Sequence, residues 1–195
     1  MTLVRLLEPE EADPAARATL DDIATRYGTV LATWRALLHR PPIFVAYVPY
    51  LRAVAGPGVV EQRTKELAAL RVAIANHCRY TASHRVRAAR AAGVTDDELD
   101  ALAADRLDGF AERERVAIEY ARELSVCPPV VGYEASPQAV DDRLLGRVRE
   151  VFSDAEIVEL TADICLWNAL ARFHRVMGFP LDMPAPPQSI EEALR

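Results

Sequence analysis

A chain of 195 residues, 51% of them apolar, is long enough to bury one good core and falls within ordinary single-domain size, so one domain over 1–195 is expected. Acidic side chains outnumber basic ones 29 to 23, and no run of Lys and Arg forms an extended patch, which argues against nucleic acid as a partner. Three scattered cysteines, Cys78, Cys127 and Cys165, make no disulfide framework and suit a reducing compartment.

The opening MTLVRLLEPEEADP has an apolar stretch shorter than a signal peptide's and meets acids at once. The longest uncharged stretches, such as Pro41 to Leu51, fall well short of the roughly 20 residues that cross a bilayer, so a soluble, cytoplasmic protein without a membrane partner is expected.

Apolar residues recur at three and four throughout, and no segment alternates strictly over several turns, which predicts an all-α fold. The predicted helices run over 14–27, 30–39, 43–54, 61–77, 79–92, 96–104, 111–126, 141–151 and 154–177, with a short tail helix near 188–194. Prolines collect at Pro9 and Pro14, Pro41 and Pro42, Pro128 and Pro129, and from Pro180 to Pro187, so they punctuate segments rather than interrupt them. Two helix starts are explicit. Thr95 with Glu98 forms a capping box, stapled by Val94 and Leu99, and Ser153 with Glu156 repeats it between Phe152 and Ile157. Gly93 supplies the left-handed residue that ends the preceding helix.

Between Glu66 and Ala75 the only charges are Glu66 and Arg71, so this helix is apolar nearly all round and belongs in the core or at a subunit interface. Charge pattern alone favours a structural ion pair of Glu66 with Arg71 or with neighbouring helices. In the next helix, residues placed at about 100° intervals put Cys78, Thr81, His84 and Arg85 on one side, and Arg79, Ser83, Arg87 and Arg90 on the other. Arg85 lies on the inward side, where a guanidinium can clamp a substrate carboxylate or an acidic side chain. His174 continues the apolar stripe Ile157, Leu160, Ile164, Trp167 and Ala171 and reads as structural, and Trp167 reads as core or interface. Were the helix unbroken through His77, then His77, Thr81 and His84 would align with Glu66 as a metal site; without a matched ligand motif, and with no glycine-rich phosphate loop, neither metal nor cofactor is expected.

The stretch from Glu66 to Glu98, ELAALRVAIANHCRYTASHRVRAARAAGVTDDE, resembles the core motif of the AhpD-like, carboxymuconolactone decarboxylase superfamily, with core motif bounds of 61–104 and a C-terminal tail over 179–195. Glu66 falls on the family glutamate, Cys78 on the first cysteine of C-x-x-C-x-x-x-H, and His84 closes the motif; Thr81 replaces the second cysteine. The later segment FSDAEIVELTADICLWNALARFHRVMG is similar to the family's closing helix. The resemblance implies an AhpD-like helical subunit that assembles as a trimer or hexamer.

Thr81 cannot form a sulfenic acid or resolve a disulfide, so the dithiol cycle of the peroxidase branch is not expected. Three readings stay open. In the decarboxylase branch, His84 is acid or base, Glu66 its partner and Arg85 the clamp for a small carboxylate-bearing lactone. Thr81 and Tyr80 complete that substrate-contacting set, although Tyr80 falls toward the exposed side of the wheel. In a single-cysteine peroxidase, Cys78 is a thiolate activated by a helix N-terminus and a histidine, reduced by an external thiol or by Cys127 or Cys165. In a non-catalytic oligomer, Glu66 and Arg71 hold helices together, and the segments around Pro41 to Leu51 and Leu160 to Leu170 make subunit contacts. An open pocket reaching Glu66, Cys78, His84 and Arg85 would favour an enzyme, and a closed cluster a scaffold.

Overall fold

The computed structural model describes residues 2–126, 138 and 140–195. Among them are ten α-helices and no strand: α1 (Pro14–Tyr27), α2 (Ala32–Leu37), α3 (Pro41–Ala55), α4 (Gln62–Ala75), α5 (Arg79–Ala91), α6 (Asp96–Ala103), α7 (Glu112–Ser125), α8 (Asp142–Val151), α9 (Asp154–Met177) and α10 (Gln188–Ala193). The all-α expectation holds, and both capping boxes form as their sequences require. The expectations for Cys127, Pro128 and Pro129 lie outside the described residues.

The centre of the molecule is α4, whose Leu67, Ala68, Ala69, Leu70, Val72 and Ala73 are all at most 1% exposed. It packs against α5, α7 and α9. Alanines on the facing surfaces, Ala82, Ala89, Ala117 and Ala121, let these helix axes approach closely. On one side, α4, α7, α8 and α9 enclose a core around Val72, Val116, Leu160 and Ile164. On the other, α4, α5 and α6 enclose Leu70, Val86, Leu99 and Ile190, the last contributed by α10, so the tail helix is docked. A separate cluster around Trp34, Phe44 and Ile23 joins α1, α2 and α3.

Several expectations need correction. Helix α3 starts at Pro41, two residues early, because prolines are tolerated in a first turn. Pro49 then lies inside it, so not every proline punctuates. Helix α4 stops at Ala75, and His77 adopts a left-handed φ of 50° before Cys78 starts α5, so the continuous helix that a His77 metal site required does not exist. The imidazole of His77 instead bonds the Leu194 carbonyl at 3.0 Å. Arg71 pairs with Asp105 at 3.3 Å, not with Glu66. Of the two segments expected at subunit contacts, Leu160, Ile164, Leu166, Trp167 and Leu170 are buried within the subunit while Cys165 and Ala169 are exposed, and Ile43 and Tyr50 on α3 are about half exposed, at 52% and 51%.

No helix among the described residues is long and apolar enough to cross a membrane.

Candidate active site

Helices α1, α3, α4, α5 and α9 surround a cleft of about 460 Å³ whose walls include Gln62, Glu66, His84, Arg85, Trp167 and Met183. Beneath it lies a recess of about 40 Å³, lined by Thr33, Tyr80, Thr81 and His174 and sharing His84, Arg85 and Trp167 with the cleft. At roughly 10–15 Å³ per water, the recess admits a few waters or one small end of a ligand. The cleft wall is largely apolar, from Ile23, Leu51, Ala55, Ala88 and Ala91, and carries four arginines, of which Arg26 and Arg52 share Asp22, Arg85 pairs with Glu66, and Arg87 has no carboxylate partner among the described residues, so cations are in excess. That balance suits an apolar anion.

Arg85 Nη1 donates to Glu66 Oε2 at 2.8 Å, and Glu66 Oε1 accepts from Gln62 at 2.8 Å. The guanidinium also stacks on Trp167, 4.0 Å from the ring centroid. Trp167 is therefore a wall of the site as well as core. Arg85 Nε and Gln62 Oε1 are without a hydrogen-bond partner among the described residues, but both atoms are themselves sealed from the cleft. Behind Trp167, Asp163 accepts from its indole N–H at 2.9 Å. Burial, reinforced by the nearby Glu66 charge, pushes the Asp163 carboxyl up to about 7.

His84 does not meet Glu66. Its Nε2 contacts Asp182 Oδ1 at 2.6 Å, and Asp182 Oδ2 accepts from Tyr80 Oη at 2.7 Å and from the Ala32 amide at 2.7 Å. Burial pushes the Asp182 carboxyl up, but these bonds outweigh it and hold the group below its ordinary range. Nothing in the sequence singles out Asp182, because it lies in a proline-flanked tail with no helical register to place it.

The same tail corrects the wheel. Together with α2 and α9 it covers Tyr80, 5% exposed; Ser83 is buried too, at 2%, whereas Arg79, Arg87 and Arg90 are exposed as the wheel has them, Arg79 pairing with Glu191. Burial, with the Asp182 charge beside it, raises the Tyr80 hydroxyl far above its usual value.

Cys78 is the N-cap of α5, as the motif spacing suggested, but it is 1% exposed and lines neither cavity. Burial pushes its thiol up despite bonds with Thr81, contrary to the activated thiolate expected from its position. The histidine near it is His174 on α9, reached through Thr81, rather than His84: Thr81 Oγ1 lies 3.1 Å from Cys78 Sγ and 2.9 Å from His174 Nδ1. His174, read as structural from its stripe, is indeed buried, and burial together with the His84 and Arg85 charges holds it down to about 3. Its place on the recess was invisible in the stripe. Cys165, on α9, is exposed, and it and the buried Cys78 are both free thiols. No group of three or more His, Cys, Asp or Glu among the described residues is arranged to hold a metal.

The subunit is thus all-helical among its described residues, with a histidine and a glutamate–arginine pair on one cleft and the motif cysteine buried outside it. The model of the carboxymuconolactone decarboxylase family matches residues 41–123, somewhat under half of the chain, and the match supports the AhpD-like, carboxymuconolactone decarboxylase superfamily. YnjA of Escherichia coli (strain K12), itself uncharacterized, is 41% identical over 71 residues, covering 36% of this chain and 34% of YnjA, so the match spans about a third of that relative. Among solved structures, an uncharacterized peroxidase-related protein with the alkylhydroperoxidase AhpD core, from Ralstonia eutropha JMP134, superposes with a TM-score of 0.74 at 20% identity, covering 100% of this chain and 97% of that one. The debrominase Bmp8 superposes with a TM-score of 0.77 at 20% identity, covering 100% and 99%. A cysteine-to-alanine variant of Bmp8 is known in complex with 2,3,4-tribromopyrrole. At these identities the structural likenesses speak for the fold.

Proposed function

We propose that this protein is a cofactor-independent acid–base enzyme acting on a small, carboxylate-bearing ring compound, with lactone decarboxylation as the model reaction. The observation that carries this reading is the division of the motif: Glu66, His84 and Arg85 line the open cleft, and Cys78 does not. Arg85 holds a carboxylate that the substrate retains, through terminal guanidinium hydrogens not committed to Glu66. His84, oriented by Asp182, exchanges the proton, and Gln62 and Glu66 orient the clamp. In a decarboxylation, the bond to the departing carboxylate breaks, its electron pair enters the conjugated ring, and His84 delivers the proton to carbon. Thr81 and Tyr80 contact the substrate's inner end at the recess. Bmp8 binds a small planar ring, and a ring of that size fits a cleft of about 460 Å³.

The alternatives carry less support. A single-cysteine peroxidase needs an accessible thiolate, and Cys78 is buried with a raised pKa. A scaffold does not need an open cleft that gathers Glu66, His84 and Arg85. Assembly as a homo-oligomer in the cytoplasm, with the exposed Ile43 and Tyr50 of α3 at a subunit contact, belongs to the same proposal.

The test is a direct competition of chemistries. Purified protein and its Cys78→Ser and Thr81→Cys variants are assayed for hydroperoxide turnover with dithiothreitol and with a dihydrolipoyl carrier, and for carbon dioxide release from a panel of unsaturated lactone acids. We expect no peroxide turnover by the native protein and a gain in Thr81→Cys, whose new sulfur would lie beside Cys78. Native peroxide turnover abolished by Cys78→Ser would overturn the proposal.

A further inference from the structure

One series of hydrogen bonds runs unbroken from the buried thiol to the cleft through side chains of α2, α5, α9 and the tail. Cys78 Sγ lies 3.1 Å from Thr81 Oγ1, Thr81 Oγ1 2.9 Å from His174 Nδ1, and His174 Nε2 3.1 Å from Thr33 Oγ1. Thr33 Oγ1 donates to Tyr80 Oη at 3.2 Å, Tyr80 donates to Asp182 Oδ2 at 2.7 Å, and Asp182 Oδ1 meets His84 Nε2 at 2.6 Å. Cys78, Thr81, Thr33, Tyr80 and His174 are each at most 5% exposed, so none of these groups can exchange its partner for bulk water at little cost.

We propose that Asp182, Tyr80, Thr33 and His174 are positioning residues that act as one unit, in which the tail carboxylate dictates the direction of every proton in the series and commits His84 to its Nε2–H tautomer. Only the last step, the use of His84 on a substrate, rests on the acid–base reading above.

The directions follow by elimination. Asp182 accepts from three donors, one of them an amide that can only donate, which is the pattern of an ionised carboxylate. It therefore takes the single hydroxyl proton of Tyr80 and the Nε2 proton of His84. Tyr80 Oη, its proton spent, accepts from Thr33, both from the hydroxyl and from the amide at 3.4 Å. Thr33 Oγ1, its proton also spent, must accept, so His174 carries its proton on Nε2. Burial keeps that ring neutral, so Nδ1 is bare and accepts from Thr81 Oγ1, which in turn accepts from the Cys78 thiol.

Two consequences bear on the site. His84 keeps Nδ1 as the nitrogen available to substrate, with its other face held by a carboxylate that stabilises the imidazolium formed when Nδ1 takes a proton. Thr81, in the place of the second motif cysteine, acquires a defined role as the hydroxyl that both donates and accepts between Cys78 and His174, which a thiol would do more weakly.

The experiment is ¹⁵N NMR of the histidine rings in the full-length protein, uniformly labelled, for the native chain and for Tyr80→Phe, Thr33→Val and Asp182→Asn, with backbone amide spectra as the check on folding. The native protein should show His84 and His174 each as a single Nε2–H tautomer. Tyr80→Phe frees the Thr33 hydroxyl to turn toward His174 Nε2, so His174 should become a mixture of tautomers while His84 is unchanged. Thr33→Val should disturb His174 in the same selective way. Asp182→Asn should disturb both rings. An Nδ1–H form of His174 in the native protein overturns the proposal, as does a His174 tautomer indifferent to a folded Tyr80→Phe or Thr33→Val variant. The spectra need no substrate, so a protein that shows these tautomers yet turns over no lactone acid would refute the acid–base function and leave this inference standing.

Discussion

Replacing Arg85 by methionine separates what the guanidinium does for the fold from what it does for the site. Arg85 and Glu66 meet at 2.8 Å with side chains only 12% and 6% exposed, so removing the cation strands a carboxylate in the core of α4. Breaking a buried pair from one side costs about 3–5 kcal/mol. The lost stacking on Trp167, with its centroid 4.0 Å from Arg85 Cζ, falls within that range rather than adding to it, because methionine refills part of the same space. Replacing both partners is a different matter, since an apolar or neutral pair of similar volume is often as stable as the ions it replaces. Glu66→Gln with Arg85→Met should thus recover most of the loss and end within about 1–2 kcal/mol of the native protein, a coupling of at least about 2 kcal/mol. Denaturant unfolding of the four proteins at one pH reads these values. Activity should not recover: losing a charge-assisted bond of about 1.5–3 kcal/mol to a substrate carboxylate lowers kcat/KM by roughly ten- to a hundredfold, and the double variant should stay as impaired as Arg85→Met. An Arg85→Met protein less than about 1 kcal/mol destabilised, or a double variant no more stable than that single one, would refute the reasoning about the pair.

Two further outcomes follow from buried groups. His174 is held to about 3, so the unfolded chain takes up a proton near 6.5 that the native protein refuses, and its share of stability is lost as pH falls through the window between those values. Asp163, raised to about 7, does the opposite: the native protein keeps a proton that the unfolded chain releases near 3.8, so that share is lost as pH rises between 3.8 and about 7. Each contributes a slope of up to about 1.4 kcal/mol per pH unit, and between pH 4 and 6.5 they oppose one another. Denaturant midpoints of His174→Gln should therefore fall with rising pH in that window and those of Asp163→Asn should rise, and parallel profiles for the two would contradict the assignment. In the loop before α4, a Cβ at Gly58 would stand 2.3 Å from the Glu159 carboxylate, which is pinned by the Val59 amide at 2.7 Å and by the buried Lys65 ammonium at 2.6 Å. Gly58→Ala should cost about 1–3 kcal/mol by the same denaturation measurement, a penalty typical of overpacking, whereas an unchanged midpoint would mean that the carboxylate moves freely.

The helices were legible because their signals are local. Capping boxes at Thr95 and Ser153 and the all-round apolar character of α4 each depend on a few neighbouring residues, and these elements lie within a residue or two of expectation. The half of the site carried by α4 and α5 was legible for the same reason: Glu66, His84 and Arg85 share a cleft because one helix period places them and one helix contact joins them. Partners across the chain were not. A wheel drawn on α5 alone exposes Tyr80, and only α2, α9 and the tail, all distant in the chain, bury it. Arg71 chose Asp105 over Glu66 because Glu66 and Arg71 sit five residues apart, which on a helix points them to different sides. A histidine in an apolar stripe, such as His174, carries no sign of which hydroxyls will meet it.

The identity of residue 81 then explains why the rest of the site departs from a thiol site. A second cysteine there would sit on the recess beside Cys78, where the two sulfurs could share oxidation chemistry. With a hydroxyl in its place, the contact between residues 78 and 81 can pass protons but not electrons. Cys78 accordingly sits sealed at 1% exposure with a raised pKa, while His84, Arg85 and Glu66, not the thiol, meet the cleft. The tail completes that shift, because Asp182 gives His84 a carboxylate partner that Glu66, committed to Arg85 and Gln62, does not provide. Without a second thiol at residue 81 a dithiol cycle has no means, and under the proposed acid–base reading the carboxylate behind His84 serves proton transfer.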